Sequence, residues 1–239
     1  MNRTAAASTR TAQPFGTPFG AAPAISPEGL IQQGLQYHRA GQLQAAETLY
    51  RQALQMEPRS ADALHLLGVL AHQAGTNEKA AELIGKAIAL NGKSPDFHNN
   101  LGLALQALGK FERAAASYRT ALKLNPDSAD AHNNLGNALR DQGKIEEALA
   151  SYRKALLLNP GYAEAHYNLG TALQALGNLD EAATNYREAL RIRPGYAKAH
   201  NNLGAILQIQ GNLGEAAACY RQALALDPDF TDAHLNLGN

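Results

Sequence analysis

Seven glycines recur through this chain at one spacing of 34 residues: Gly34, Gly68, Gly102, Gly136, Gly170, Gly204 and Gly238. Each sits in a segment whose neighbours favour helix, where glycine costs about 1 kcal/mol relative to alanine. A penalty repeated at a fixed interval needs a common cause. Close packing against a neighbouring helix at the same point of every unit supplies one, so the chain reads as a repeat array. Arrays of stacked helices usually recognise other chains along an extended surface and rarely carry out chemistry.

Setting the recurrent glycine at position 8 starts units at Pro27, Ala61, Pro95, Ala129, Ala163, Ala197 and Thr231. The expected organisation is six full units, 27–60, 61–94, 95–128, 129–162, 163–196 and 197–230, with a truncated seventh at 231–239. Position 15 is again glycine (Gly41, Gly75, Gly109, Gly143, Gly177, Gly211), and positions 20 and 27 are alanine in every full unit. Position 24 is Tyr50, Ile84, Tyr118, Tyr152, Tyr186 and Tyr220, and position 32 is proline except at Gly92.

Each unit divides into two helices. Helix A covers about positions 2–14 and ends near the second glycine, which can take a left-handed C-terminal conformation. Helix B runs to about position 29 and stops before the proline. Ser60, Ser94 and Ser128 stand where an N-cap is wanted. In helix B the apolar residues at positions 17, 20, 24 and 28 share a face at spacings of three and four. At 100° per residue, helix A places positions 3, 4, 7, 8, 10, 11 and 14 on a core arc, with 2, 6, 9 and 13 as a stripe beside it. One pair cannot bury both stripes, so neighbours must stack. The expected fold is all-α: an α-solenoid of stacked antiparallel helix pairs.

Gly at 8, Ala at 20, Tyr at 24, Ala at 27 and Pro at 32, on a 34-residue period, resemble the tetratricopeptide repeat. That resemblance implies a right-handed superhelix. The family's usual Trp at position 4 is replaced by Leu30 and Leu64, then by His98, His132, His166, His200 and His234, for which a packing role in place of Trp is expected.

Position 6 is asparagine in five consecutive units: Asn100, Asn134, Asn168, Asn202 and Asn236. Asparagine is a mediocre helix former, so a use for it is expected. Its amide offers donors and an acceptor and can pair with a peptide backbone of any sequence. Asn99, Asn133 and Asn201 at position 5 and Asn137 at position 9 broaden a polar, nearly uncharged groove. The row is similar to one in the tetratricopeptide region of O-linked N-acetylglucosamine transferases, as are the strings His132-Asn133-Asn134-Leu135-Gly136 and Ser151-Tyr152-Arg153-Lys154-Ala155-Leu156. The resemblance implies amides that grip an extended substrate chain on a concave surface. It also implies a glycosyltransferase domain downstream of a chain that stops within its seventh unit. The alternatives are an adapter with no enzyme attached and amides that only bridge neighbouring helices.

Other chemistries find little support. Lys+Arg and Asp+Glu balance at 21 each, so no net field draws in nucleic acid or a membrane surface. Mostly acidic residues at position 2 (Glu28, Asp62, Asp96, Asp130, Glu164, Asp232), with Lys198 the lone base, oppose a carboxylate ligand. The position-4 histidines stand one helix spacing apart, too far to share a metal, and His65 and His72 read as a solvated face. A single cysteine, Cys219, excludes a disulfide framework and fits a cytoplasmic setting. No catalytic constellation, cofactor, metal or small-molecule ligand is expected. Residues 1–26, charged only at Arg3 and Arg10, read as a disordered leader with a faint likeness to a transit peptide.

Overall fold

The computed structural model describes residues 26–238, and all regular structure within them is helical. Helices of 13 and 14 residues alternate: α1 (Pro27–Arg39), α2 (Leu43–Met56), α3 (Ala61–Gln73), α4 (Asn77–Leu90), α5 (Pro95–Ala107), α6 (Phe111–Leu124), α7 (Ala129–Asp141), α8 (Ile145–Leu158), α9 (Ala163–Ala175), α10 (Leu179–Ile192), α11 (Ala197–Ile209), α12 (Leu213–Leu226) and the shorter α13 (Thr231–Gly238). Odd-numbered helices are the A helices and even-numbered ones the B helices. The expected leader lies outside the described residues except for Ser26, which is part of the fold: its hydroxyl caps α1 by accepting from Gly29 N.

Local chemistry sets the boundaries. Ser60 and Ser128 accept from Ala63 N and Ala131 N as N-caps, whereas Ser94 makes no such bond ahead of Pro95. The position-15 glycines all take positive φ, from 69° at Gly109 to 80° at Gly211, which lets the chain reverse between A and B. At the other reversal, Asn91, Asn125, Asn159 and Asp227 each accept from the backbone N–H two residues on, before the next A helix starts.

The recurrent position-8 glycines lie against the position-24 side chain of the same pair. A Cβ at Gly136 would fall 2.5 Å from Tyr152 Cε1, and one at Gly170 would fall 2.8 Å from Tyr186 Cε1. Five tyrosines (Tyr50, Tyr118, Tyr152, Tyr186, Tyr220) and Ile84 are buried at this contact. The alanines at positions 20 and 27 are buried beside them, so A and B approach closely. Core residues from α5 to α12 join into one continuous cluster along the array, which is the all-α solenoid of stacked antiparallel pairs.

Successive A helices touch one another (α3 with α5, α5 with α7, α7 with α9, α11 with α13), while successive B helices do not close to the same degree. The A side is therefore the inner side of the curve. Two parts of the expected core arc differ. Position 14 closes helix A as its C-cap and is exposed at Leu176 and Gln210. Position 4 is half-buried or exposed in the histidine units, and position 5 turns inward in its place, with Asn133 at 1% and Asn201 at 6% exposure.

Candidate functional site

The position-6 asparagines line up along the inner face, and each donates through Nδ2 to the position-5 residue of the preceding A helix. Asn134 reaches Asn99 Oδ1 at 3.2 Å, Asn168 reaches Asn133 Oδ1 at 3.0 Å, and Asn236 reaches Asn201 Oδ1 at 3.1 Å. Where position 5 is not asparagine, another acceptor takes over. Asn100 donates to His65 Nε2 at 2.8 Å, and Asn202 donates to Tyr167 OH at 3.4 Å and Tyr186 OH at 3.3 Å. The row is thus a chain of side-chain bonds running from one unit to the next. Bridging between neighbouring helices is present in the fold, whatever else the amides do.

Bridging uses one N–H of each amide. Oδ1 of Asn100, Asn134 and Asn236 has no hydrogen-bond partner among the described residues. Nor does any side-chain polar atom in them lie buried without a partner, so these oxygens reach solvent. Asn133, Asn168 and Asn201 are buried and serve mainly as bridges, while Asn99, Asn100, Asn134, Asn137, Asn202 and Asn236 remain partly open. The position-34 residue helps to set this difference. Tyr162 packs its hydroxyl beside Asp130 and Asn133, and its phenol pKa is raised, first by burial and then by Asp130. Ser128 holds the same position one unit earlier, and Asn99 of that unit stays half-buried.

A second row of polar groups follows the core tyrosines. Tyr118, Tyr186 and Tyr220 donate to Gln106, Gln174 and Gln208 at 3.1, 2.8 and 2.8 Å, and Tyr152 donates to Asn137 Oδ1 at 2.8 Å. Gln106 continues to Asp141 of the next A helix at 2.8 Å. Tyr167 lies between Tyr186 and Tyr196 in tilted ring contacts, with centroids 5.8 and 4.8 Å away, and Arg193 lies over the Tyr196 ring. Burial first, then Glu164, pushes the Tyr196 phenol up to about 12. Sequence reasoning missed His65 and Tyr167 as ladder acceptors. The visible signal was two adjacent polar positions, 5 and 6, which in stacked units lie 35 residues apart.

The histidines do something other than fill the place of Trp. Nε2 of His98, His132, His166, His200 and His234 meets the carbonyl six residues earlier, on Gly92, Pro126, Pro160, Pro194 and Pro228, at 2.8–3.1 Å. Each histidine therefore latches the loop that delivers the chain from B to the next A. His65 is not solvated: it stacks on Phe97 with centroids 4.3 Å apart, and burial lowers its pKa. His72 pairs with Asn77 Oδ1 at 2.6 Å. The Cys219 thiol is half-buried and its pKa is raised by burial, which leaves it a poor nucleophile. Among the described residues no three His, Cys, Asp or Glu side chains gather as metal ligands, and no helix is long and apolar enough to cross a membrane.

Sequence profiles of the TPR repeat match residues 105–139 and 136–177, and further tetratricopeptide repeat profiles match residues 31–95 and 161–229. The chain belongs to the tetratricopeptide repeat family. No curated protein matches it in sequence. Among solved structures it is similar to the APC/C hetero-tetramer Cut9–Hcn1, at 19% identity and a TM-score of 0.80, over 90% of this chain and 43% of that one. It thus spans less than half the length of that protein. It is also similar to Pseudomonas aeruginosa pilF (23%, TM-score 0.78, 87% of this chain and 95% of that one). YrrB, described as a TPR protein with an unusual peptide-binding site, is similar at 22% and a TM-score of 0.62, over 80% and 98% of the two chains. At these identities the likeness establishes the fold. The repeat makes the chain a protein-interaction scaffold.

Proposed function

We propose that the inner face of the A helices holds an extended polypeptide, with the position-6 amides as its grip. The observation that carries this is the unused, solvent-reaching Oδ1 of Asn100, Asn134 and Asn236, held at one-repeat intervals by the bonds to the preceding helix. An acceptor fixed in this way loses little freedom when it takes an N–H from a guest backbone. The partly open amides of Asn99, Asn137 and Asn202 widen the same groove. The guest carries few acidic groups, because the ladder itself is uncharged and position 2 beside it is acidic in every unit except for Lys198. A reducing, cytoplasmic setting belongs to this reading and rests on the single cysteine.

The finer reading, that the array recruits substrates for a linked O-linked N-acetylglucosamine transferase, is carried by the amide row alone. Transfer from a nucleotide sugar by the natively expressed protein would support it. The scaffold reading is tested by the triple substitution Asn100→Ala, Asn134→Ala and Asn202→Ala. Capture of a labelled, uncharged, unfolded peptide, followed by fluorescence anisotropy, should weaken at least tenfold with far-ultraviolet circular dichroism unchanged. Undiminished capture would remove the grip from these residues.

A further inference from the structure

On the opposite side from the amide ladder, α2, α3 and α4 enclose a cleft of about 610 Å³. Its walls are apolar, from Leu54, Leu67, Leu70 and Leu83, and its charged groups are Glu47, Arg51 and Lys79. The other junctions of the array show why it is open. Position 14 is Leu108, Gln142, Leu176 or Gln210 in later units but Ala74 here, so the cleft loses a large side chain. Position 21 is alanine or leucine in later units, buried at Ala115, Leu149 and Ala183, but it is Glu47 here. Position 19 carries the third departure. Glu147 and Glu181 receive Arg119 and Arg153 from the preceding B helix at 3.2 and 2.9 Å. Position 19 is Lys79 at the α2–α4 junction and Arg113 at the next, but there the preceding helix carries Gly85 in place of an arginine, so only at α2–α4 do two cations meet, and Arg51 pairs with Glu47 of its own helix at 2.6 Å.

Three departures from the repeat thus meet in one place. Together they remove a bulky side chain, shift the carboxylate from the position-19 site on α4 to Glu47 on α2, and leave one surplus positive charge. Lys79 has no carboxylate within salt-bridge distance among the described residues, and the nearby Glu82 is taken by Lys86 at 2.6 Å. We propose that this cleft binds a small amphipathic carboxylic acid. Its apolar body occupies the space that the half-buried Leu108 fills in the next unit, and its carboxylate stands between Arg51 and Lys79 as Glu147 stands to Arg119. The volume lies within the range of small-molecule sites, and the apolar lining with a few charged groups is the usual composition of one. The proposal is independent of the peptide groove.

The test uses sodium dodecanoate as probe, with dodecanol and dodecyltrimethylammonium as neutral and cationic controls, and isothermal titration calorimetry on the full chain. Dodecanoate should bind at one site, at least tenfold tighter than either control. Lys79→Glu restores the Arg–Glu pattern of the α6–α8 and α8–α10 junctions, and Ala74→Leu restores the side-chain volume that Leu108 supplies in the next unit. Both substitutions follow the repeat, and each should weaken dodecanoate at least tenfold without lowering the melting temperature. Equal affinity in wild type and both variants, or no preference over dodecanol, would overturn the proposal. So would an absence of uptake in which a benzophenone at Gln55 cross-links to residues 1–25 or to a second copy, which would give the cleft to the chain itself.

Discussion

Asn168 donates its side-chain amide to Asn133 Oδ1 at 3.0 Å, and both side chains are buried, at 6% and 1% exposure, between α9 and α7. The neighbouring member of the row, Asn134, makes the same bond to Asn99 but stays half-open. One sequence position thus carries two physical roles, and substitution separates them.

Asn168→Ala leaves Asn133 buried without its donor and should destabilise the fold by ~1–3 kcal/mol, the desolvation penalty of an orphaned buried polar group. Asn134→Ala loses a partly solvated bond and should cost under ~1 kcal/mol, while removing one grip on a guest peptide. Urea unfolding of the two variants, read beside peptide anisotropy, checks this. Equal stability loss in both would remove the distinction.

Gly136→Ala places a methyl group against the Tyr152 ring and should cost ~1–3 kcal/mol through overpacking. Gly85 in α4 and Gly214 in α12 lie within helices but face open space. Alanine there should stabilise by up to ~1 kcal/mol, since helix propensity acts without a clash. Differential scanning fluorimetry of the three variants should order them with Gly136→Ala well below wild type and the other two at or above it.

His65 ties acidity to the α3–α5 junction. Asn100 Nδ2 donates to its Nε2, so the ring is neutral with its proton on Nδ1, and burial against Phe97 lowers its pKa despite Asp96 and Asp62. A pKa depressed in the folded state means that the unfolded chain binds more protons just below the ordinary histidine value. This contribution to stability is therefore present above about pH 6.5 and is lost as pH falls toward the folded pKa. Melting temperature should drop between pH 7 and pH 5, and His65→Gln should flatten that drop. A variant that keeps the full wild-type slope would exclude His65 as its source.

The histidine latches make a further prediction. His132→Ala frees the Pro126 carbonyl, and His200→Ala frees that of Pro194. Each loss should cost ~0.5–1.5 kcal/mol, the net worth of one hydrogen bond. Hydrogen exchange should rise at the B-to-A loop concerned before it rises in the core. Loss confined to the core helices would show a packing role instead.

The spacing of small residues and punctuation was enough to read the helix pairs, because Gly136, Ala148, Tyr152 and Pro126 each have one mechanical reason to stand where they do. The amide row was also visible, but its direction was not. Projecting a lone helix cannot show that position 5 turns under the next unit while position 4 turns toward the incoming loop. That depends on the crossing of helices from different units, so the sequence alone points His132 to packing and Asn133 to an open groove. The cleft at Ala74 and Lys79 was hidden for the opposite reason. A repeat is recognised by what its units share, and this cleft exists through what one junction lacks.

The array is fastened unequally across its width. Along the inner edge, each A helix from α3 onward is stitched to the next through side-chain amide bonds that are buried or partly buried, while the outer edge is spanned by solvent-facing pairs such as Arg119–Glu147 and Arg153–Glu181. Ionic strength screens the second kind far more than the first. Such a molecule bends like a book held at its spine: added salt lets the outer pages fan apart, and the row of amides keeps its pitch.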